Sequence, residues 1–287
     1  MNKWQLFKNS INDLIEYNHS QKVIQEKWDL IINNFKDYKP THLLGILNTL
    51  EQSREGLKSK ILDHGCGEGH ALFMLASKGY TNIWGIDIDQ SENFIFRKKA
   101  CNRIFKIILN TKSDRIANYN GKKINFKNNT FDYIFSQQVI EHVHSAFLDK
   151  YISEESRILK NNGLVLHQIP HRLGPFEGHT KKWFIHWLPR KLYYYFLKGN
   201  TQNLNLVKTA LFLRWPWELK AYFYKYFKNV DNIVYMRLKQ DIYSGEYSVK
   251  EKIIRKILVF LFKLPIIGVL FIKIFSSFFQ LEILIRK

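Results

Sequence analysis

The sequence predicts an α/β fold: a parallel sheet with helices on both faces. Three observations carry that reading. Short β-rich runs at 60–63, 83–87, 131–135 and 164–169 alternate with segments whose apolar residues recur at helical spacing. The first run leads through a glycine-rich turn directly into an apolar helix, "ILDHGCGEGHALFMLA" at 61–76. The second, "IWGID" at 83–87, ends in a carboxylate where a ligand-binding strand would place one.

The elements follow in order. Leu14, Ile15, Val23, Ile24, Trp28, Ile31, Ile32 and Phe35, then Leu43, Leu44 and Leu47 beyond Pro40, predict two or three helices between positions 12 and 50. A helix over 71–78 stops at Gly79, and another over about 146–159 is expected to stop at "KNNG", with Gly163 as its C-cap. After Pro170 the pattern loosens into "HRLGPFEGHTKKWFIHWLP", which reads as a substrate loop. A helix at about 217–227 and a strand at about 230–236 follow. "KIIRKILVFLFKLPIIGVLFIKIFSSFF" is intensely apolar, yet Arg255, Lys256, Lys263 and Lys273 interrupt it, so it lacks the roughly 20 uncharged residues of a spanning helix. "LEILIRK" closes the chain as a strand. The expected division is a helical cap at 1–56, a core at 57–175, an acceptor loop, helix and sixth strand at 176–240, an apolar basic helical insertion at 241–279, and the closing strand at 280–287.

Composition narrows the class. With 287 residues, 46% hydrophobic and 15% aromatic, the chain has ample material for a core. Its formal charge of +19 predicts an anionic partner: nucleic acid, an acidic glycan or a membrane. Alternatively, most of that charge is compositional, since Lys, Asn and Ile are abundant throughout the chain. Cys66 and Cys101 are too few for a disulfide framework or a zinc knuckle, which fits a reducing cytoplasm. The polar N-terminal stretch "MNKWQLFKNSINDLIEY" lacks the apolar core of a signal peptide.

The glycine turn departs from the dinucleotide fingerprint: His70 stands near the place of its last glycine, and Gly69 comes one residue early. Asp87 is placed to accept two ribose hydroxyls, and Asp63 would repel phosphate but attract an amino group. That pair suits a ligand with a ribose and a cation and no diphosphate. Alternatively, Asp63 caps the following helix and Asp87 and Asp89 serve a turn. Cys66 reads as a small space-filler, with no base beside it.

"ILDHGCGEGHALFMLASKGYTNIWGIDID", "FDYIFSQQVIEHV" and "ESRILKNNGLVLHQIP" together resemble the successive motifs of class I S-adenosylmethionine-dependent methyltransferases of the type 11 subgroup, over about 60–170. The resemblance implies a three-layer, Rossmann-like, seven-stranded sheet of order 3-2-1-4-5-7-6 with the last strand antiparallel, and S-adenosylmethionine as cofactor. It implies that Gly65, Cys66 and Gly67 approach the methionine part and Asp63 its amino group. Asp87 would take the ribose hydroxyls, Ile88 would lie against adenine, Asp114 in "KSDRIA" would face the adenine, and Ser136 and Gln137 would line the cofactor.

Methyl transfer from a sulfonium needs chiefly alignment of the acceptor, and an oxygen acceptor profits from a base titrating near neutrality. Candidate bases are His142, His171 and His179; His142 in "IEHV" also has a packing role open to it. No metal site is expected, because His142 and His144 lack a carboxylate or cysteine cluster at ligand spacing. "SQQV" replaces the Pro-Pro-aromatic motif that base-modifying relatives carry there, so nucleic acid is not the expected substrate. The expected acceptor is a hydroxyl or carboxyl of a small, glycan or lipid-linked molecule at an anionic membrane face, with the protein cytoplasmic or peripheral at the inner membrane. An RNA methyltransferase, favoured by charge, and a non-catalytic cofactor- or membrane-binding module are the alternatives.

Overall fold

The computed structural model describes residues 2–53, 55–234, 260, 264, 274, 278 and 280–287. It divides into two compact units: one of 1–136, 154–165 and 287, the other of 137–153 and 166–286. The N-terminal helices belong to the first unit.

In that unit, α1 (Lys3–Glu16) and α2 (Gln21–Phe35) start at good N-caps. Asn2 and Ser20 accept hydrogen bonds from the backbone N–H groups of Gln5 and Val23. Their buried stripes, Phe7, Ile11 and Leu14 on one and Ile24, Trp28 and Ile31 on the other, follow the helical period. They pack on α4 (His70–Ser77) and α5 (Glu92–Ile108). Phe73 stacks on Phe105 with ring centroids 4.3 Å apart. Each such buried aromatic contributes about 1.5–3 kcal/mol of transfer free energy. The third helix, α3 (Leu44–Glu51), follows Pro40, and Thr49 hydrogen-bonds the Tyr133 hydroxyl at 2.6 Å.

The strands of this unit are β1 (Ile61–His64), β2 (Ile83–Asp87), β3 (Ile116–Asn118) and β4 (Phe131–Gln137), whose last residue falls in the second unit. The pairs β1/β2, β1/β4 and β2/β3 are parallel. β3 is pinned by a side chain: Asn102 of α5 accepts from the Arg115 and Ile116 N–H groups, each at 2.8 Å, and donates to the Ile116 carbonyl at 2.9 Å. Helix α6 (Ser145–Ile158) gives way directly to β5 (Leu159–Ile169). Gly163 is thus not a helix cap. The left-handed residue is Asn162, at φ 66°, and Lys287 closes the turn through backbone hydrogen bonds with Asn162 and Gly163.

In the second unit, the expected substrate loop contains a short ribbon, β6 (Phe176–Glu177) with β7 (Lys182–Trp183), followed by α7 (Arg190–Leu197) and α8 (Thr201–Thr209). The aromatic run of α7 supplies core: Tyr193 and Leu197 pack with Val207 and Leu211. The expected helix is α9 (Pro216–Tyr224), and the expected sixth strand is β8 (Asn229–Asn232), antiparallel to β9 (Leu281–Arg286). The sheet order is β3-β2-β1-β4-β5-β9-β8. With the ribbon set aside, this is the expected 3-2-1-4-5-7-6. The insertion expected at 241–279 lies outside the described residues apart from Phe260, Leu264, Ile274 and Phe278. Among the described residues no helix is long and apolar enough to cross a membrane.

Candidate active site

The carboxyl end of β1 turns through Gly65, Cys66 and Gly67, and the turn is tied to β2. The N–H groups of Gly65 and Cys66 donate to the Ile86 carbonyl at 2.8 and 3.1 Å. The Gly67 N–H donates to Asp87 Oδ2 at 2.8 Å, and the Asp89 N–H to Asp87 Oδ1 at 3.0 Å. Two glycines are required by this geometry. Gly67 has φ +47°, and a Cβ there would meet no atom within 4 Å, so its position opens on free space. At Gly85 a Cβ would come within 2.7 Å of Cys66 Cβ, Cys66 Sγ and Leu72 Cδ1. Gly85 lets the turn lie directly on β2.

Asp63 is buried, and its carboxyl is held well above the ordinary range, first by burial and then by the Asp87 charge. A cationic group supplied by a ligand would relieve both effects. The Cys66 thiol is likewise pushed up, by burial first and then by Asp63 and Asp87, which makes it an inert filler. Ile88, beside this carboxylate pair, is 61% exposed, an apolar side chain free to take a flat ring. These features meet the requirements of S-adenosylmethionine: open backbone, a carboxylate for a ribose, a buried acid for an amino group and an apolar contact.

Asp114 does not join them. It precedes β3, whereas the carboxyl end of that strand, Asn118, pairs with Asp87. Asp114 is exposed and ion-paired to Lys106 at 2.7 Å. Ser136 is buried near the end of β4, and in the second unit Gln137 donates to Gln168 at 2.6 Å, which donates to Glu282 at 2.7 Å. His64 and Tyr119 were not anticipated. His64 Nδ1 lies 2.8 Å from Glu155 and its Nε2 3.2 Å from the Tyr119 hydroxyl, a buried polar chain that fixes the residue after β3. The sequence signals neither: a single histidine ending a strand has no partner legible nearby.

The second unit gathers two of the three candidate histidines. One ligand-capable atom from each of Glu141, His142 and His179 lies within 4.8 Å of the others. His171 is elsewhere: it is buried, and its Nδ1 accepts from the Leu173 N–H at 3.1 Å, a turn-locking role. His142 Nδ1 donates to the Ala210 carbonyl at 2.6 Å, and His179 Nδ1 to Glu177 Oε1 at 2.8 Å. Burial would raise Glu177, but hydrogen bonds from His179 and Thr180 hold it down at about 2. His179 is raised chiefly by its bond to Glu177, and His142 is lowered chiefly by desolvation. Burial lifts Glu141 to about 8. The spacing of His142 and His144 does not anticipate this grouping, which Glu141 and the β6–β7 ribbon carrying His179 create.

A cleft of about 460 Å³ in the same unit is lined by four cations, Arg172, Arg190, Arg214 and Lys225, against one carboxylate, Glu218, together with Phe212 and Tyr222. Its wall is continuous with the cluster's backbone, since the Phe212 N–H donates to the Glu141 carbonyl at 2.6 Å.

The sheet order is that of the Rossmann-like methyltransferase fold. Residues 62–167, a little over a third of the chain, match the family model described as a methyltransferase domain, in agreement with the type 11 group. That match supports an S-adenosylmethionine-dependent methyltransferase, with S-adenosylmethionine as the cofactor. Among solved structures it is similar to an S-adenosylmethionine-dependent methyltransferase from Mesorhizobium loti, at 13% identity and TM-score 0.49, over 86% of this chain and 98% of that one. It is also similar to the PH0226 protein of Pyrococcus horikoshii, at 28% identity and TM-score 0.36, over 45% and 52% of the two chains. A third is phosphoethanolamine N-methyltransferase 2 of Haemonchus contortus in complex with S-adenosyl-L-methionine, at 18% identity and TM-score 0.43, over 83% and 51%. No curated protein matches the chain.

Proposed function

We propose that the protein methylates an oxygen, hydroxyl or carboxyl, of an anionic small, glycan or lipid-linked acceptor at the inner face of the cytoplasmic membrane. The observation that carries the acceptor reading is the basic cleft: four cationic side chains with two aromatic rings suit a molecule that is negatively charged and partly apolar. The exposed Trp183, Phe184, Tyr195 and Phe196 and the apolar, basic sequence at 241–279 support a lipid-borne source.

In this reading Asp63 holds the cofactor's amino group, while Gly65, Cys66 and Gly67 let its methionine part approach the backbone. Asp87 takes the ribose and Ile88 the adenine; Ser136 completes the lining. When bound, S-adenosylmethionine supplies a methyl group already activated by the sulfonium. The protein's remaining task is to orient and polarise the acceptor. His142 and His179 are the groups for that task, and His171 is not.

The test is transfer of labelled methyl from S-adenosylmethionine into anionic lipid and glycan fractions, with vesicle cosedimentation alongside. Label should enter one of these fractions, in an alkali-labile product if the acceptor is a carboxyl and an alkali-stable one if a hydroxyl. Binding to vesicles should rise with anionic lipid. Label found exclusively in RNA would replace this reading with the nucleic-acid one. No binding to any vesicle by folded protein would remove the membrane from it.

A further inference from the structure

We propose that Glu141, His142 and His179 form a three-ligand site for a divalent transition cation of the zinc class. The cluster has the donor set of such sites, two imidazoles and one carboxylate, which suits zinc, cobalt or iron(II) better than the all-oxygen preference of magnesium or calcium.

Three further observations point to a ligand. The first is that Glu141 is 1% exposed, and neither of its carboxylate oxygens has a hydrogen-bond partner among the described residues. A buried carboxyl without donors is costly, and a coordinated cation supplies what it lacks. Arg214 does not: its terminal nitrogens donate to the carbonyls of Ile140, Phe212 and Val143.

Both imidazoles, secondly, are already oriented through the same nitrogen. A carbonyl only accepts, so the Ala210 oxygen fixes the His142 proton on Nδ1 and leaves Nε2 with its lone pair. The Glu177 carboxylate does the same for His179. A carboxylate behind a histidine that faces a metal is the usual outer support of such sites.

The third observation is one of scale. Tetrahedral bonds of about 2.0–2.1 Å place ligand atoms roughly 3.3–3.5 Å apart. The present separation of at most 4.8 Å closes to that by side-chain movement of about 1.3–1.5 Å, within reach of the half-exposed His179. Three protein ligands leave one position for an outside oxygen. This part rests on the proposed oxygen acceptor, but the binding of the cation does not.

The experiment uses the full chain, freed of metal with a chelator and titrated with Zn2+, Co2+ and Mg2+ by calorimetry, with the visible spectrum followed for Co2+. One equivalent of Zn2+ should bind, Co2+ should give the intense visible bands of a low-symmetry site, and Mg2+ should not compete. His142→Ala and His179→Ala should each abolish the Co2+ bands. The conservative Glu177→Gln should keep the site but weaken it by about 10–100-fold, as an outer-support change does. Retention of the full Zn2+ and Co2+ signals in the His142→Ala/His179→Ala double variant would assign binding to other histidines and overturn the proposal. So would equal competition by Mg2+, or no binding by wild-type protein. Binding without any methyl transfer would leave the site standing and count against the acceptor reading alone.

Discussion

Replacing Asp87 by asparagine tests the cofactor reading most directly, because the structure sets both the size and the limit of the effect. The carboxylate now accepts the Gly67 N–H at 2.8 Å and the Asp89 N–H at 3.0 Å, one on each oxygen. A bound ribose would add two hydroxyl donors to the same group. Asparagine keeps one carbonyl oxygen, so one charge-assisted acceptor is lost and the other is weakened, at a cost of about 1.5–3 kcal/mol or roughly 10–150-fold in affinity. A second consequence works the other way. After burial, the Asp87 charge raises the Asp63 carboxyl, so its removal makes Asp63 easier to ionise and strengthens attraction for the cofactor's amino group. The expected outcome therefore lies near the lower bound, about 10–30-fold weaker binding of S-adenosylmethionine by calorimetry. The thermal midpoint of the free protein, measured first, reports any loss of the loop itself. A folded variant that binds within twofold of wild type would take Asp87 out of the site.

Further outcomes follow from the same geometry. Gly67→Leu should abolish S-adenosylmethionine binding while costing only about 1–2 kcal/mol of stability, since its Cβ meets no protein atom and the strain is confined to φ +47°; retained binding in calorimetry would show that the space is not the ligand's. Gly85→Ala should lower stability by about 1–3 kcal/mol, because its Cβ would sit 2.7 Å from Cys66 and Leu72, and an unchanged denaturation midpoint would contradict that packing. His70→Gln tests a pH effect: burial first, then Arg97 and Lys8, lower the His70 imidazole from 6.5 to about 4, and exposed Glu68 at 3.3 Å does not offset this. The unfolded chain then takes the proton more readily, so the stability is whole above pH 6.5 and is lost as pH falls towards 4, by about 2 kcal/mol at pH 5; wild type and variant with parallel midpoints across that window would refute it.

The fold was legible wherever a segment's fate is decided by its neighbours in sequence. β1, β2 and β4 are runs of buried residues bounded by turns, and α1 and α2 carry their stripes openly. β3 has three residues, too few to show an alternation, and it is held by Asn102 from the preceding helix. α5 was hidden by the charges around its buried Phe94, Cys101, Ile104 and Phe105. "KNNG" lies within β5 and is not the stop of α6. Asn162 does take a left-handed conformation, but what it turns towards is Lys287, brought from the far end of the chain.

The site divides along the same line. Gly67 and Asp87 sit at the carboxyl ends of neighbouring strands, so a motif at each strand end was enough to bring them together. Asp114 comes from the family resemblance alone, and the start of β3 at Ile116 puts it before the strand. The cluster in the second unit depends on facts that no spacing contains: a ribbon that returns His179 to the residues after β4, and the fate of every donor near Glu141. The chain has 44 basic side chains against 25 acidic ones, so a buried carboxyl without a donor is the last thing its composition predicts. Among the described residues no donor reaches either oxygen, and Arg214 is committed to three carbonyls. Charge satisfaction is a property of directions rather than of counts. The unpaired state of Glu141 therefore reflects how the chain turns at Ile140 and Val143, where the carbonyls compete for the same guanidinium and win it.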